Sequence, residues 1–368
     1  MKKIKKISQN LFKRVSQEFF KLLYGKISYK SNNQKSRNIS IKFIKKKSIR
    51  KFDNTLYRVF KVKNGRIYTD DVENVAIIDK NKIIDDISFQ QISGELLPAN
   101  HNSSIEKGTP RILKTFRGNV LSLIQGASGK FNYYHWLFDI LPKIKLFSEI
   151  YNLKDIDYIY FHKLNNFQKN TLKILGIFKK KIIFSERYRH IQAENIFCTD
   201  HPIYFNGFIE TESKKIPKWI VRWLRSTFLK HKKKFNCNDK IFIDRSSSPS
   251  KHCQFINNEE IKNYLKKRGF KSYKIEKLNF FKEIYLFNKA KIIIGAHGAG
   301  LANLAFCKSK TKVIEIRPKN RINSLYQRIS HINNLNYNLI ETKIIKNSKL
   351  LKVGDIKLDI SILKKYLN

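Results

Sequence analysis

Acidic side chains are scarce in this chain. Twenty-nine Asp and Glu stand against 75 Lys and Arg, giving a formal net charge of +46. That balance invites a polyanionic partner such as nucleic acid, anionic lipid or acidic polysaccharide. The basic residues are nevertheless spread along the chain, and the joint abundance of Lys, Ile and Asn is also what an AT-rich coding sequence produces. Cysteine is sparse too. Cys198, Cys237, Cys253 and Cys307 form no C-x-x-C pair and no zinc spacing with histidine, which argues against a disulfide scaffold and fits a reducing cytoplasm. No apolar run reaches the ~18 residues of a membrane span. Proline is limited to seven residues, none gathered into a linker.

What is present is enough for two domains. The chain has 368 residues, 42% of them hydrophobic and 13% aromatic. Residues 1–28 lack the uninterrupted apolar core of a secretory signal. They place Ile4, Ile7, Leu11, Val15, Phe19, Leu22 and Leu23 at helical spacing. Lys2, Lys3, Lys5, Lys6, Lys13, Arg14, Lys21 and Lys26 fill the other faces. Such a helix can lie in an anionic membrane interface or pack on the body of the protein. Residues 1–50 therefore form a basic amphipathic segment and linker, with a first edge strand as the alternative for residues 29–50.

From 51 to 125 short alternating segments dominate, among them Tyr57–Val62 and Val75–Ile78, separated by Asn-Gly and Asp-Asp turns. An aromatic helix follows at 131–150. Strands at Asp157–Phe161, Lys181–Phe184 and Glu194–Cys198 alternate with a helix at Phe167–Ile177. This predicts an open parallel sheet and a first α/β domain over 51–215. A helix at Pro217–Lys230 reads as a connector. Beyond it a second alternation predicts another α/β domain over 216–368, facing the first across a cleft.

The richest stretch is Lys291–Pro318, which reads as strand, glycine turn, helix, strand. Gly295-Ala296-His297-Gly298-Ala299-Gly300 is neither a G-x-G-x-x-G fingerprint nor a P-loop, since no Gly-Lys-Ser/Thr follows. It still leads a glycine turn into the start of a helix at Leu301, whose free amides and positive dipole end suit a phosphate. A second segment, Asp244-Arg245-Ser246-Ser247-Ser248, lies just beyond the strand Ile241–Ile243. There Arg245 can hold a diphosphate through paired hydrogen bonds. Glu315, on the following strand, is a candidate acceptor of ribose hydroxyls. In the aromatic helix, His135 and Asp139 are four residues apart and share a face. Asp139 can orient His135 for proton abstraction, and Tyr133, Tyr134 and Trp136 offer flat surfaces to a sugar.

Three blocks in order carry a family resemblance: Tyr134-His135-Trp136-Leu137-Phe138-Asp139-Ile140-Leu141-Pro142, then Asp244-Arg245-Ser246-Ser247-Ser248, then Gly295-Ala296-His297-Gly298-Ala299-Gly300-Leu301-Ala302-Asn303. Together they resemble glycosyltransferase family 61, which includes bacterial capsular-polysaccharide transferases. The resemblance spans about residues 115 to 318. It implies a GT-B architecture of two Rossmann-like domains, a nucleotide-sugar donor held mainly by the carboxyl-terminal domain, and inversion at the anomeric carbon. It implies no metal held in the Asp-x-Asp manner. Asp155-Ile156-Asp157 has those letters but precedes a strand. The expected donor contacts are Arg245, Ser246, Gly295, His297, Gly298, Ala299, Gly300, Leu301 and Glu315, and the expected base is His135 or Asp139. His297 fits phosphate or sugar binding. The expected acceptor is a glycan, on a lipid carrier at the inner membrane face if the basic helix binds membrane. A non-enzymatic polyanion-binding protein also fits the charge, although no helix-turn-helix, zinc or RNP-type pattern marks a specific nucleic-acid binder. A pyruvyltransferase would use a similar scaffold, and a nicotinamide oxidoreductase is disfavoured by the missing fingerprint.

Overall fold

The computed structural model describes residues 2–29, 36–46, 55–71, 74–92, 95–124, 131–177, 181–203, 207–208, 215–248, 253–319, 324–346 and 354–367. The chain divides into two compact units, Met1–Glu212 and Ser213–Asn368.

The amino-terminal unit is built on a mixed sheet of twelve strands among the described residues. In chain order these are β1 (Ile39–Lys46), β2 (Thr55–Lys63), β3 (Arg66–Asp71), β4 (Asn74–Asp79), β5 (Lys82–Ile83), β6 (Phe89–Ile92), β7 (Glu95–Leu97), β8 (Leu113–Ser122), β9 (Tyr158–Phe161), β10 (Lys181–Phe184), β11 (His190–Thr199) and β12 (Gly207–Phe208). Only β10-β9-β8-β11 run parallel. The other pairings are antiparallel. The expectation of an open parallel sheet, and with it a Rossmann-like first domain, is thus corrected. The segments before residue 113 are joined by connections too short for a parallel crossover. The Lys80–Asn81 turn, with Lys80 at φ 54°, closes a hairpin of β4 and β5. The Asn64-Gly65 pair makes no hairpin; β2 and β3 both lie along β11, and the chain bends between them. Parallel pairing begins where helices supply the crossovers, the aromatic helix between β8 and β9 and Asn166–Ile174 between β9 and β10.

The carboxyl-terminal unit holds a five-stranded, wholly parallel sheet: β13 (Lys240–Ile243), β14 (Lys271–Tyr273), β15 (Ile292–Ala296), β16 (Lys312–Pro318) and β17 (Asn336–Thr342). The spatial order is β14-β13-β15-β16-β17, or 2-1-3-4-5. This is the flavodoxin-like winding rather than the dinucleotide-fold order. β-Branched runs such as Ile292–Ile294 suit strands buried on both faces. Ile294, Ile314 and Ile316 join Phe242, Leu265 and Leu363 in one core. The helix Lys218–Phe228, expected to be a connector, instead packs within this unit. It buries Ile220, Val221, Leu224 and Phe228, and Arg225 donates to the carbonyls of Ala305 (2.8 Å) and Cys307 (2.6 Å).

Candidate active site

Each unit carries a polar constellation at the end of an element that its sequence specifies. In the amino-terminal unit the side chain of Asn132 starts the aromatic helix by accepting from the amides of Tyr134 (2.9 Å) and His135 (3.3 Å). The helix is α over Tyr133–His135, widens to a π-turn over Trp136–Ile140, and returns to α over Leu141–Ser148. Pro142 explains the wide turn. It has no N–H to donate and its ring crowds the carbonyl four residues back, so an expanded turn lets the helix continue past it.

His135 Nδ1 lies 2.5 Å from Asp139 Oδ2. The Asp139 side chain is fully buried, whereas that of His135 is 23% exposed. Burial pushes the Asp139 carboxyl above the usual carboxylate range, against the opposing pull of His135 and Lys143. Two further groups, unseen from sequence, complete the cluster. Lys143, one turn beyond Asp139, is fully buried, and desolvation lowers its ammonium to about 7 despite the attraction of Asp139. His201, from the segment after β11, accepts from the Ile203 amide through Nδ1 (3.1 Å), which leaves the proton on Nε2, 3.9 Å from Asp139 Oδ2. Burial holds His201 far below its ordinary value, so it is neutral. Of the three aromatic neighbours, Tyr133 is half-buried with its ring edge-on to Phe167, and the other two are enclosed. Trp136 is wholly buried and donates to Thr171 Oγ1 (2.8 Å), and Tyr134, 5% exposed, stacks on Phe138.

In the carboxyl-terminal unit the winding reverses between β13 and β15, and open α/β sheets bind ligands at the carboxyl ends of strands flanking such a reversal. Asp244-Arg245-Ser246 leaves the end of β13, and His297-Gly298 leaves the end of β15. The two segments meet. A Cβ added to Gly298 would lie 1.5 Å from Arg245 Nη1, so the guanidinium rests on the glycine backbone. Asp244 is not a surface partner of Arg245. It is buried and accepts from the Ser246 amide (2.9 Å) and Asn258 (3.2 Å), shaping the turn that delivers Arg245. Ser246 enters through this backbone bond, and the next hydroxyl, Ser247, donates to Glu276.

Gly295 belongs to β15 itself, where a Cβ would press on Ile243 of β13 at 3.0 Å. The segment Ala299–Phe306 is a 3₁₀ helix whose first bond runs from the Leu301 amide to the Gly298 carbonyl (2.9 Å). Leu301, expected to offer its amide to phosphate, therefore spends it inside the turn. The amides of Gly298, Ala299 and Gly300 precede that bond. Glu315 is also recast. It is 1% exposed, with one carboxylate oxygen on His297 Nδ1 and the other accepting from Tyr337 Oη at 2.6 Å, so it positions His297 instead of presenting itself to a ribose. Burial and that carboxylate push the Tyr337 phenol upward. The His297 ring also meets that of Tyr326, centroids 4.9 Å apart. Asn303 Nδ2 ties the glycine turn down through Gly300 O (3.2 Å) and Glu283 (3.0 Å). Among the described residues no group of three or more His, Cys, Asp or Glu is arranged to hold a metal ion.

No curated protein matches the chain. A histidine-to-aspartate mutant of the flavo di-iron protein from Thermotoga maritima aligns with 89% of this chain and 100% of its own at 11% identity. The TM-score is 0.22. The model of the family described as glycosyltransferase 61 matches residues 133–314, from the start of the aromatic helix into β16. That interval contains His135, Asp139, Arg245 and the glycine turn, and the chain belongs to glycosyltransferase family 61.

Proposed function

We propose that the protein transfers a sugar, with inversion, from a nucleotide-sugar donor to a hydroxyl of a glycan acceptor. The observation that carries this reading is the seating of the Arg245 guanidinium on Gly298 where the parallel sheet reverses its winding. A donor diphosphate there would meet a guanidinium together with the amides of Gly298, Ala299 and Gly300. The acceptor oxygen attacks the anomeric carbon on the face opposite the diphosphate. The carbon–oxygen bond to phosphate breaks, its electron pair leaves with the nucleoside diphosphate, and Arg245 neutralises the charge that grows there. His135 takes the acceptor proton. Burial favours His135 of the two candidates: Asp139 is fully enclosed, while His135 has an exposed edge. With Nδ1 held by Asp139, Nε2 is the nitrogen that receives the proton. His297 takes a donor-binding role, fixed by Glu315.

Supported only by composition and by the family's capsular members is a finer reading. In it the acceptor is a lipid-linked cell-surface glycan, and the protein works at the cytoplasmic face of an anionic membrane.

The test is a melting-temperature series with a panel of nucleotide sugars. A donor at about 100 times its Kd stabilises by about 2.7 kcal/mol, a shift of several degrees. One nucleotide sugar should raise the Tm of the wild type and leave Arg245→Ala unmoved. A panel that moves neither protein, with phosphoenolpyruvate moving the wild type instead, would replace this reading with the pyruvyltransferase one.

A further inference from the structure

The helix Lys2–Tyr24 is attached to its unit the wrong way round for an amphipathic helix of a soluble protein. Such helices bury the apolar stripe and expose the charged face. Here the contacts run through the opposite side, near the helix end. Tyr24 Oη accepts from the Leu113 amide (3.0 Å), and the Tyr24 ring meets the His190 ring edge-on at 5.1 Å. Arg66 donates to the Tyr24 carbonyl at 3.5 Å, and Phe20 stacks on Tyr24. A Cβ on Gly108 would fall 2.9 Å from Lys21 Cγ, so the lysine stem also lies against the body. The apolar stripe is left outside. Ile7, Leu11, Val15, Phe19, Leu22 and Leu23 are all more than half exposed, Leu22 at 88%. Taken together with Phe12 they occupy one side of the helix, and from Ile7 to Leu23 they extend over about 24 Å.

We propose that this outward stripe is a preformed membrane-docking surface, which lies flat in the interface of a bilayer containing anionic lipid. Charge complementarity selects the occupant. Lys2, Lys3, Lys5, Lys6, Lys13, Arg14, Lys21 and Lys26 accompany the stripe, and Glu18 is the single acidic residue from 1 to 28. Lysine stems can lie along the acyl boundary while their ammonium groups reach the phosphates. No helix among the described residues is long and apolar enough to cross a membrane, so the mode is surface docking. The contacts described above hold the helix near Tyr24 on the side away from the stripe, so the stripe needs no rearrangement to meet lipid. This deepens the membrane part of the reading above and does not rest on the transfer chemistry.

The experiment uses the full chain and flotation with vesicles of phosphatidylcholine alone or with 30% phosphatidylglycerol. The wild type should float with the anionic vesicles and much less with the neutral ones. The triple variant Leu11→Ser, Val15→Ser, Leu22→Ser should lose at least tenfold in affinity while its Tm stays within a few degrees, because the three positions are exposed. The nucleotide-sugar shift in Tm, read on both proteins, reports the donor site separately. Its absence from both would count against the transferase reading and leave the membrane result standing. Undiminished flotation of the triple variant would overturn the proposal. So would a wild type that is dimeric without lipid and becomes monomeric on the triple substitution with unchanged flotation, since the stripe would then cover a second copy. A Leu22→Trp variant gives a positional check: its emission should move to shorter wavelength on adding anionic vesicles, and an unshifted spectrum would contradict insertion.

Discussion

At Gly298 a single methyl group tests the proposed donor site. Its φ of 168° is extended backbone open to any residue, so alanine brings no backbone strain. What alanine brings is a Cβ at 1.5 Å from Arg245 Nη1, the far end of a flexible side chain that can swing away. Gly298→Ala should therefore fold with a Tm close to wild type and bind donor at least tenfold more weakly, with turnover down about 10²-fold as an electrostatic contact to the leaving group is displaced. Calorimetric titration with the donor checks this, and an unchanged Kd would separate Arg245 from the diphosphate. His135 and Asp139 divide differently. His135→Ala removes the proposed base and should cost about 10²–10⁴ in kcat with little change in stability, since the ring is partly exposed. Asp139→Asn leaves the shape and removes the charge that orients His135. A fall in kcat at unchanged KM is expected there, and full activity would show that the pairing is structural only.

Among the elements, the aromatic helix was easy to find in the sequence and hard to interpret. Its spacing put His135 and Asp139 together, and they do meet. Its aromatic residues read as sugar platforms, yet Trp136 and Tyr134 are buried, because amphipathic spacing does not say which face meets the sheet. No sequence pattern marks Lys143, since a lysine in a helix is ordinarily solvated. Nor does any local pattern join His201 to Asp139, because it arrives from the far end of β11, 62 positions later. The carboxyl-terminal strands were legible as β-branched runs bounded by turns. The amino-terminal sheet was not, because its register depends on pairings such as Val59 with Thr199, which no local pattern encodes. Buried Lys143 has a measurable consequence. Its folded value near 7 lies below the ordinary 10.5, so the folded chain binds fewer protons than the unfolded chain between those limits. The destabilisation is fully present below pH 7 and fades as pH rises toward 10.5. Lys143→Met should raise Tm at pH 7 by several degrees, through about 1–3 kcal/mol, and the gain should shrink by pH 10. A gain independent of pH would mean that the ammonium is not the cause.

Over the whole molecule, the charge is larger than the two constellations need. Arg245 is one guanidinium, and the excess of basic over acidic residues leaves a formal charge of +46. Several of the acidic residues serve internal geometry: Glu315 holds His297, Asp244 shapes the Arg245 turn, Asp200 pairs with Arg58 at 2.9 Å and Asp157 accepts from the Asn119 amide at 2.8 Å. Those contacts answer few surface lysines, so a folded chain of this composition repels itself. Added salt shortens the Debye length from about 10 Å at 0.1 M to about 3 Å at 1 M and relieves that repulsion. Tm should accordingly rise as sodium chloride goes from 0.05 to 0.5 M, by about 2–4 °C for each kcal/mol relieved. Over the same range association with anionic vesicles should weaken, because the same screening removes the electrostatic part of docking. The two responses have opposite signs, which separates the contributions: the part of vesicle binding that survives 0.5 M salt belongs to the apolar stripe of the helix Lys2–Tyr24, and the triple serine variant should lack it. A Tm that falls with salt would mean that specific ion pairs such as Arg58–Asp200, rather than net repulsion, govern the stability of this chain.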